Sequence, residues 1–228
     1  MRSGAGWSSH RGLPRAGCGP PRMVMRRATP HHGPMDLVLV DDHPAVRAGL
    51  RGLLDDEEDL RVVATAATAR EGFEAIADLQ PDVALVDHHL PDDDGLSLCL
   101  RTRALPAPPR VVVYSAFADD AMAVRAAVAG ASAVVPKATA PRTLLAVLRS
   151  AAAGRAQLAL DGRALREAGE TLDPEDLPIL GMLAHGVGHD EIAATLGLEP
   201  EWLLARRWAM LSPAKMAACP RETTSSRR

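Results

Sequence analysis

The part of the chain that decides the fold is residues 37–50, which read LVLVDDHPAVRAGL. Four apolar residues in a row, without polar alternation, are typical of a parallel strand buried on both faces. The run ends at Asp41 and Asp42, and Pro44 then opens a segment with apolar residues at helical spacing. Residues 37–50 therefore predict a buried strand, an acidic turn and an amphipathic helix.

The same strand-then-helix pattern repeats four more times, up to about residue 154. Further apolar runs lie at Val62–Ala66, Val83–Val86, Val111–Tyr114 and Ala133–Val135. Helical patterns follow near 68–79, 96–104, 118–129 and 141–153. Such alternation predicts an α/β fold with a doubly wound, five-stranded parallel sheet.

Polar residues follow four of the five predicted strands. They are Asp41 and Asp42 after the first, Asp87 after the third, Ser115 after the fourth and Lys137 after the fifth. One acid after a strand is ordinarily part of a solvated loop, but parallel strands all end at one edge of the sheet, so these side chains should converge there. Clustered carboxylates repel one another unless a hard cation such as Mg²⁺ neutralises them. A carboxylate can also accept a phosphoryl group, and lysine and serine can bind its oxygens, so the set predicts a phosphoryl-transfer site.

The chain from about 36 to 153 resembles the receiver domain of bacterial response regulators of the NarL type. The resemblance is carried by LVLVDDHPAVRAGL, PDVALVDHHLPDDDG, RVVVYSA and AGASAVVPK. It implies a flavodoxin-like receiver fold in which Asp87 accepts phosphate from a sensor histidine kinase. It also implies that Asp41, Asp42, Asp87 and the backbone carbonyl of His89 hold Mg²⁺. Ser115 and Lys137 would then contact the phosphoryl group.

Two features depart from the receiver pattern. Val134 stands where receivers usually carry an aromatic residue, and the loop after Asp87 is unusually acidic at 92–94. A separate reading, in which His88 and His89 bind a transition metal, is disfavoured because adjacent side chains on an extended segment point in opposite directions.

The second half of the chain carries a helical region at 172–211, with breaks at Gly186 and Gly197. Its HDEIAATLGL and EPEW sequences resemble a LuxR-type helix-turn-helix, which implies that the helix near 199–211 lies in the major groove of DNA. Arg206 and Arg207 are the only basic residues in this region, against seven acids. They are the candidate DNA contacts, although Arg207 stands where the family pattern has an apolar core residue. So few basic residues favour weak or lost DNA binding.

The remaining segments complete the predicted organisation. We predict a disordered basic extension at 1–34, a receiver domain at 35–153, a linker with some helical tendency at 154–171, a helix-turn-helix-like domain at 172–211 and a disordered tail at 212–228. The extension has six arginines and no acid, and translation could also begin at Met35. No apolar run is long enough to span a membrane, and three scattered cysteines suit free thiols in a reducing compartment, so a cytoplasmic protein without a membrane partner is expected.

These features lead to two main hypotheses for function. In the first, the chain is a two-component response regulator that binds Mg²⁺, is phosphorylated by a histidine kinase, forms a homodimer on phosphorylation and controls transcription through DNA binding. In the second, the receiver acts by protein–protein contact and the helical module no longer binds DNA. A hydrolase with an aspartyl nucleophile is disfavoured because no second catalytic acid or inserted cap segment is evident, so the chain is expected not to be an enzyme.

Overall fold

The computed structural model describes residues 33–155 and 158–211. The strands are β1 (Met35–Val40), β2 (Leu60–Ala66), β3 (Val83–Asp87), β4 (Arg110–Ser115) and β5 (Ala133–Pro136). The first five helices are α1 (Pro44–Asp55), α2 (Ala69–Leu79), α3 (Gly95–Thr102), α4 (Asp120–Ala129) and α5 (Pro141–Ala152). They are followed by α6 (Gly162–Thr171), α7 (Leu177–Ala184), α8 (His189–Leu196) and α9 (Pro200–Leu211).

The five strands form one parallel sheet in the order β2-β1-β3-β4-β5. The predicted α/β fold with a five-stranded parallel sheet is therefore confirmed. Side chains alternate across the sheet, so Leu37 and Leu39 of β1 join the core beneath α1 and α5. Val38 and Val40 join the core on the opposite face, with residues of α2, α3 and α4. Helices cover both faces, which explains why the strands are apolar throughout.

The start of α3 packs closely against the end of β3. The Gly95 amide donates to the carbonyl oxygen of His88 at 2.8 Å. A Cβ atom on Gly95 would lie 2.2 Å from the carbonyl oxygen of Asp87. Glycine is therefore required here, and it lets α3 pack against the backbone at the end of β3.

The C-terminal helices pack against α4. Val124 and Val128 of α4 belong to one apolar cluster with residues of α6, α7, α8 and α9, among them Ile179 and Leu203. The opposite side of α4 faces the receiver core through Met122 and Ala126. The two faces of α4 thus join the receiver to the all-α region that the sequence predicts after it.

The other predicted segments are the linker, the basic extension and the tail. Residues 154–171, predicted as a linker with helical tendency, include α6, which contributes the buried Ala164 to the apolar cluster against α4. The predicted basic extension lies almost wholly outside the described residues, and the predicted tail at 212–228 lies wholly outside them. No helix within the described ranges is long and apolar enough to cross a membrane.

Candidate functional site

The carboxyl edge of the sheet carries a buried acidic pocket built around Lys137. The Lys137 Nζ atom lies 2.8 Å from Asp41 Oδ2 and 2.7 Å from Asp87 Oδ2. Asp41 and Asp87 are buried, and the Lys137 side chain is 22% exposed. Burial lowers the pKa of Lys137, but its hydrogen bonds to Asp41 and Asp87 outweigh that effect and raise the pKa above its ordinary value. Lys137 is therefore a charged ammonium held between two carboxylates.

Asp42 and His43 extend this pocket toward solvent. Ligand atoms of Asp41, Asp42, His43 and Asp87 all lie within 4.8 Å of one another. The Nδ1 atom of His43 is 2.6 Å from Asp42 Oδ1. No role is predicted for His43 from the sequence, although its position directly after the acidic pair could have indicated one. This cluster has the spacing to hold a cation, and in the described part of the chain no such cluster includes His88 or His89.

Three further residues lie at the same edge. Ser115 ends β4 beside β3, is fully buried, and its Oγ accepts a hydrogen bond from the Phe117 amide at 3.2 Å. The His89 amide lies 3.3 Å from Asp87 Oδ1 and donates to it. Tyr114 donates a hydrogen bond from its hydroxyl to the carbonyl oxygen of Lys137 at 3.1 Å. Tyr114 therefore helps to fix the backbone that carries the lysine. The sequence predicts Tyr114 only as part of a strand.

The three acids of the loop after Asp87 have structural partners. Asp92 accepts hydrogen bonds from the first two amides of α2, at Ala69 and Arg70. Asp94 caps α3 by accepting from the Ser97 amide at 2.7 Å. Asp93 accepts from the Asp94 amide at 2.8 Å. The unusual acidity of this loop is thus explained by helix capping and loop structure.

His88 follows the predicted phosphoacceptor but points into the interior. It is 6% exposed, and its ring meets the His89 ring edge-on with 4.5 Å between centroids. Burial, together with the charges of His89 and Arg125, lowers the pKa of His88 to about 4. His88 is therefore a neutral, packed side chain at physiological pH.

The two candidate DNA contacts on α9 face inward or are paired with acids. Arg207 is 1% exposed, and its Nε donates to the carbonyl oxygen of Val128 at 2.7 Å. Its burial agrees with the apolar residue expected at this place in a helix-turn-helix. A DNA contact from Arg207 does not fit this arrangement of the chain, because α9 presents that face to α4.

Arg206 is held by acids at the start of α7. Its Nε donates to Asp176 Oδ1 at 2.8 Å, and its guanidinium lies within 4 Å of carboxylate oxygens of Asp173 and Glu175. The hydrogen bond to Asp176 raises the pKa of Arg206 despite partial burial. Because these acids already neutralise the guanidinium, Arg206 offers little net charge to a DNA phosphate in this arrangement.

The fold agrees with comparisons to known proteins. Residues 37–149 match the response regulator receiver domain family. The chain is 33% identical over 168 residues to the DNA-binding transcriptional activator DevR/DosR of Mycobacterium tuberculosis, covering 68% of this chain and 76% of that protein. The chain belongs to the response regulators. Its NarL-type receiver, predicted from the sequence, is confirmed.

Other similarities extend beyond the receiver. The nitrate/nitrite response regulator protein NarL of Escherichia coli (strain K12) is 30% identical over 195 residues, covering 80% of this chain and 90% of NarL. The structure of the two-component response regulator RcsB in a DNA complex aligns with a TM-score of 0.53 at 22% identity, covering 83% of this response regulator and 95% of RcsB. At that identity the alignment supports the fold alone, and it includes the C-terminal helical region.

Proposed function

We propose that Asp87 is the phosphoacceptor of this response regulator and that a sensor histidine kinase supplies the phosphoryl group. The observation that carries the proposal is the placement of Lys137 Nζ within hydrogen-bonding distance of both Asp41 and Asp87. Asp87 is the last residue of β3, the central strand of the sheet. It lies at the edge where parallel α/β sheets bind ligands. Its carboxylate is held in place by the His89 amide and by Lys137.

The proposed step is a transfer from nitrogen to oxygen. A carboxylate oxygen of Asp87 forms a bond to phosphorus while the bond from phosphorus to the kinase histidine nitrogen breaks, and the nitrogen keeps the electron pair. Lys137 then exchanges its hydrogen bond to Asp87 for one to a phosphoryl oxygen. The Ser115 hydroxyl, now an acceptor from Phe117, can donate its proton to a second phosphoryl oxygen.

The acidic cluster also fits Mg²⁺. Asp41, Asp42 and Asp87 supply hard oxygen ligands within 4.8 Å of one another, and the backbone carbonyl of His89 would complete the protein's contribution. When bound, Mg²⁺ offsets the repulsion between these carboxylates and the incoming phosphoryl oxygens. The protein's own part is to hold Asp41 and Asp42 in place, through the His43 amide at 2.8 Å from Asp41 Oδ1 and the His43 ring beside Asp42.

Intact-mass measurement tests this assignment. Incubation with acetyl phosphate and Mg²⁺ should add one phosphate per chain, and EDTA should abolish the gain. Asp87→Asn should remove it, whereas Asp92→Asn is the matched control because Asp92 caps α2 outside the pocket. A gain of phosphate that persists in Asp87→Asn would contradict the assignment of Asp87 as the phosphoacceptor. Continuous release of phosphate over many turnovers would instead favour an enzyme.

We propose that the output is control of transcription through DNA binding by the C-terminal helices, as the name of the relative DevR/DosR, a DNA-binding transcriptional activator, suggests. In the present arrangement α9 packs on α4, so DNA contact requires the two to separate. Phosphorylation would favour separation and dimerisation if the separated state binds the phosphoryl group or a second copy better. Dimerisation would also double the DNA contacts, which matters for a helical region that is so poor in basic residues.

A second output, protein–protein contact, is favoured by a specific observation. The exposed positions of α9 include Trp202 and Trp208 rather than arginine or lysine. Fluorescence anisotropy on genomic promoter fragments, with and without acetyl phosphate, separates the two outputs. Sequence-specific binding that strengthens on phosphorylation supports transcriptional control. Binding that stays non-specific in both conditions supports protein contact as the output.

A further inference from the structure

A cavity of about 380 Å³ lies between the receiver and the C-terminal helices. Its wall is formed by the segments after α3 and α4, the segment before α6, the turn between α7 and α8, and one side of α9. Its charged and titratable lining residues are Arg103, Arg110, His185, His189 and Arg207, and none of its lining residues is acidic. The cavity is therefore cationic, unlike the acidic pocket at the sheet edge.

Arg207 enters this cavity as an almost fully buried cation. Two of its nitrogens have partners: Nε donates to the Val128 carbonyl oxygen, and Nη1 lies 3.1 Å from His189 Nδ1. The third nitrogen, Nη2, is buried and has no hydrogen-bond partner among the described residues. Capping of the last turn of α4 thus accounts for only one of the donors of Arg207.

The backbone of the cavity wall leaves room for that guanidinium. Gly130 ends α4 with a φ of +82°, and a Cβ atom there would lie 2.6 Å from Arg207 Nη2. Any other residue would be strained and would also collide with the guanidinium. Gly130 therefore leaves the room that Nη2 of Arg207 occupies at the cavity wall.

Arg103 brings a second guanidinium to the same place. Its Nε atom is buried without a hydrogen-bond partner in the part of the chain that the structure describes. Burial, together with the nearby charge of Arg103, lowers the pKa of Arg207 to about 10. Burial likewise lowers the pKa of Arg103. The charge of Asp190 acts against this lowering, and Asp190 is not part of the lining.

We propose that this cavity binds a small polyanion carrying phosphate or carboxylate groups. A buried guanidinium without a counter-charge is costly, and an anion that accepts from Nη2 of Arg207 and Nε of Arg103 would offset that cost. The planar fork of arginine matches both phosphate and carboxylate oxygens. The volume suits a compact organic ligand, and Leu158, Leu160, Leu183 and Val187 supply apolar wall for its carbon skeleton.

Such a ligand would act as a regulator, because it touches both halves of the protein. Arg103 and Gly130 belong to the receiver, whereas His189 and Arg207 belong to the C-terminal helices. A ligand that binds only while these groups are together stabilises the packed arrangement of α9 on α4 by mass action. It would oppose release of the output helices without touching Asp87.

Isothermal titration calorimetry on the full chain tests the proposal, with pyrophosphate and citrate as separate probes. Ionic strength is held constant, and divalent cations that could carry an anion to the acidic pocket are removed beforehand on a chelating resin. At least one probe should bind at one site per chain. Arg103→Gln and Arg207→Leu should each weaken binding by about tenfold or more, because each removes a hydrogen bond from a charged donor. Pyrophosphate alone would assign the phosphate class, and citrate alone the carboxylate class.

Two control variants make the test specific. Arg166→Gln removes an exposed arginine of α6 that does not line the cavity, and it should change affinity by less than about twofold. Lys137→Met should leave the binding intact, since it alters only the acidic pocket. The proposal is overturned if neither probe binds at millimolar concentration, if Arg166→Gln weakens binding as much as Arg103→Gln does, or if Lys137→Met abolishes it. Arg103→Gln decides the outcome even if Arg207→Leu does not fold.

Discussion

Lys137 and Arg207 are both largely buried cations, and their surroundings are opposite. Lys137 lies within 2.8 Å of two carboxylates at the edge of the sheet. Arg207 is more deeply buried, yet its neighbours are a backbone carbonyl, a histidine and a second arginine. A buried charge is tolerated when an opposite charge accompanies it, and it is costly when none does. The contrast indicates that Lys137 has counter-charges within the protein, whereas the cationic cavity around Arg207 lacks an anion.

The same contrast distinguishes the acidic pocket of the receiver from α9 of the C-terminal helices. At the acidic pocket, Lys137 provides the positive charge that a phosphoryl group on Asp87 requires. On α9, the two arginines that should attract DNA are directed into the protein or toward acids. The receiver therefore holds its lysine beside carboxylates at the edge of the sheet, whereas Arg207 of the helical region is buried and Arg206 is paired with acids.

The largest effect is expected when Lys137 loses its charge. Lys137→Met leaves Asp41 and Asp87 as buried carboxylates with no cation between them. We expect a loss of about 2–3 kcal/mol in the free energy of unfolding, below the full cost of breaking a buried pair because the lysine is partly exposed. Urea denaturation in EDTA measures it.

Lys137→Arg is the control for this effect, because it keeps the positive charge. Addition of Mg²⁺ should restore part of the stability that Lys137→Met loses. A loss below about 0.5 kcal/mol in Lys137→Met would contradict the view that this lysine balances the pocket.

Arg207→Leu should have a smaller effect, although Arg207 is more deeply buried than Lys137. The substitution removes a cation that has no carboxylate partner and supplies the apolar residue that suits the site. It also leaves the Val128 carbonyl oxygen without its donor, so the two effects nearly cancel and the net change should stay within about 1 kcal/mol. The same urea denaturation measures this change, and a loss of more than about 2 kcal/mol would mean that Arg207 is well compensated within the protein.

A still smaller effect is expected from His189. Burial, followed by the charges of Arg207 and Arg103, lowers the pKa of His189 below its ordinary value of 6.5. Protonation is thus harder in the folded chain than in the unfolded chain. The associated stability is present above pH 6.5 and is lost as the pH falls below it.

Thermal unfolding of wild type and His189→Gln between about pH 7.5 and 5.5 measures this contribution. Wild type should lose more stability than the variant as the pH falls. His185→Gln, which alters an exposed histidine of the same wall, should behave as wild type. An identical pH dependence in wild type and His189→Gln would show that His189 does not contribute to the pH dependence of stability.

The receiver could be predicted from the sequence because its signals are local. Each strand is an apolar run with its functional residue at the end, and the parallel arrangement alone brings Asp41, Asp87 and Lys137 to one edge. The acids in the loop after Asp87 can also be read from the sequence. The capping roles of Asp92 and Asp94 cannot, because they depend on which helix each side chain reaches.

The cavity and the orientation of α9 could not be predicted in the same way, because they depend on how two regions pack. One signal was available: α4 reads DAMAVRAAVA and is apolar nearly all round, which is typical of a helix buried on both sides. That pattern predicts a second packing partner for α4. It does not indicate that Arg207 would meet Val128 and Gly130.

The central claim is that a phosphoryl group on Asp87 controls the packing of α9 against α4. Hydrogen exchange of the full chain, measured by mass spectrometry with and without acetyl phosphate and Mg²⁺, tests it most directly. We expect faster exchange in α9 and in the outer face of α4 after phosphorylation of the wild type, and no change in Asp87→Asn. Unchanged exchange in α9 of a chain that carries the phosphate, or the same acceleration in Asp87→Asn, would contradict the claim.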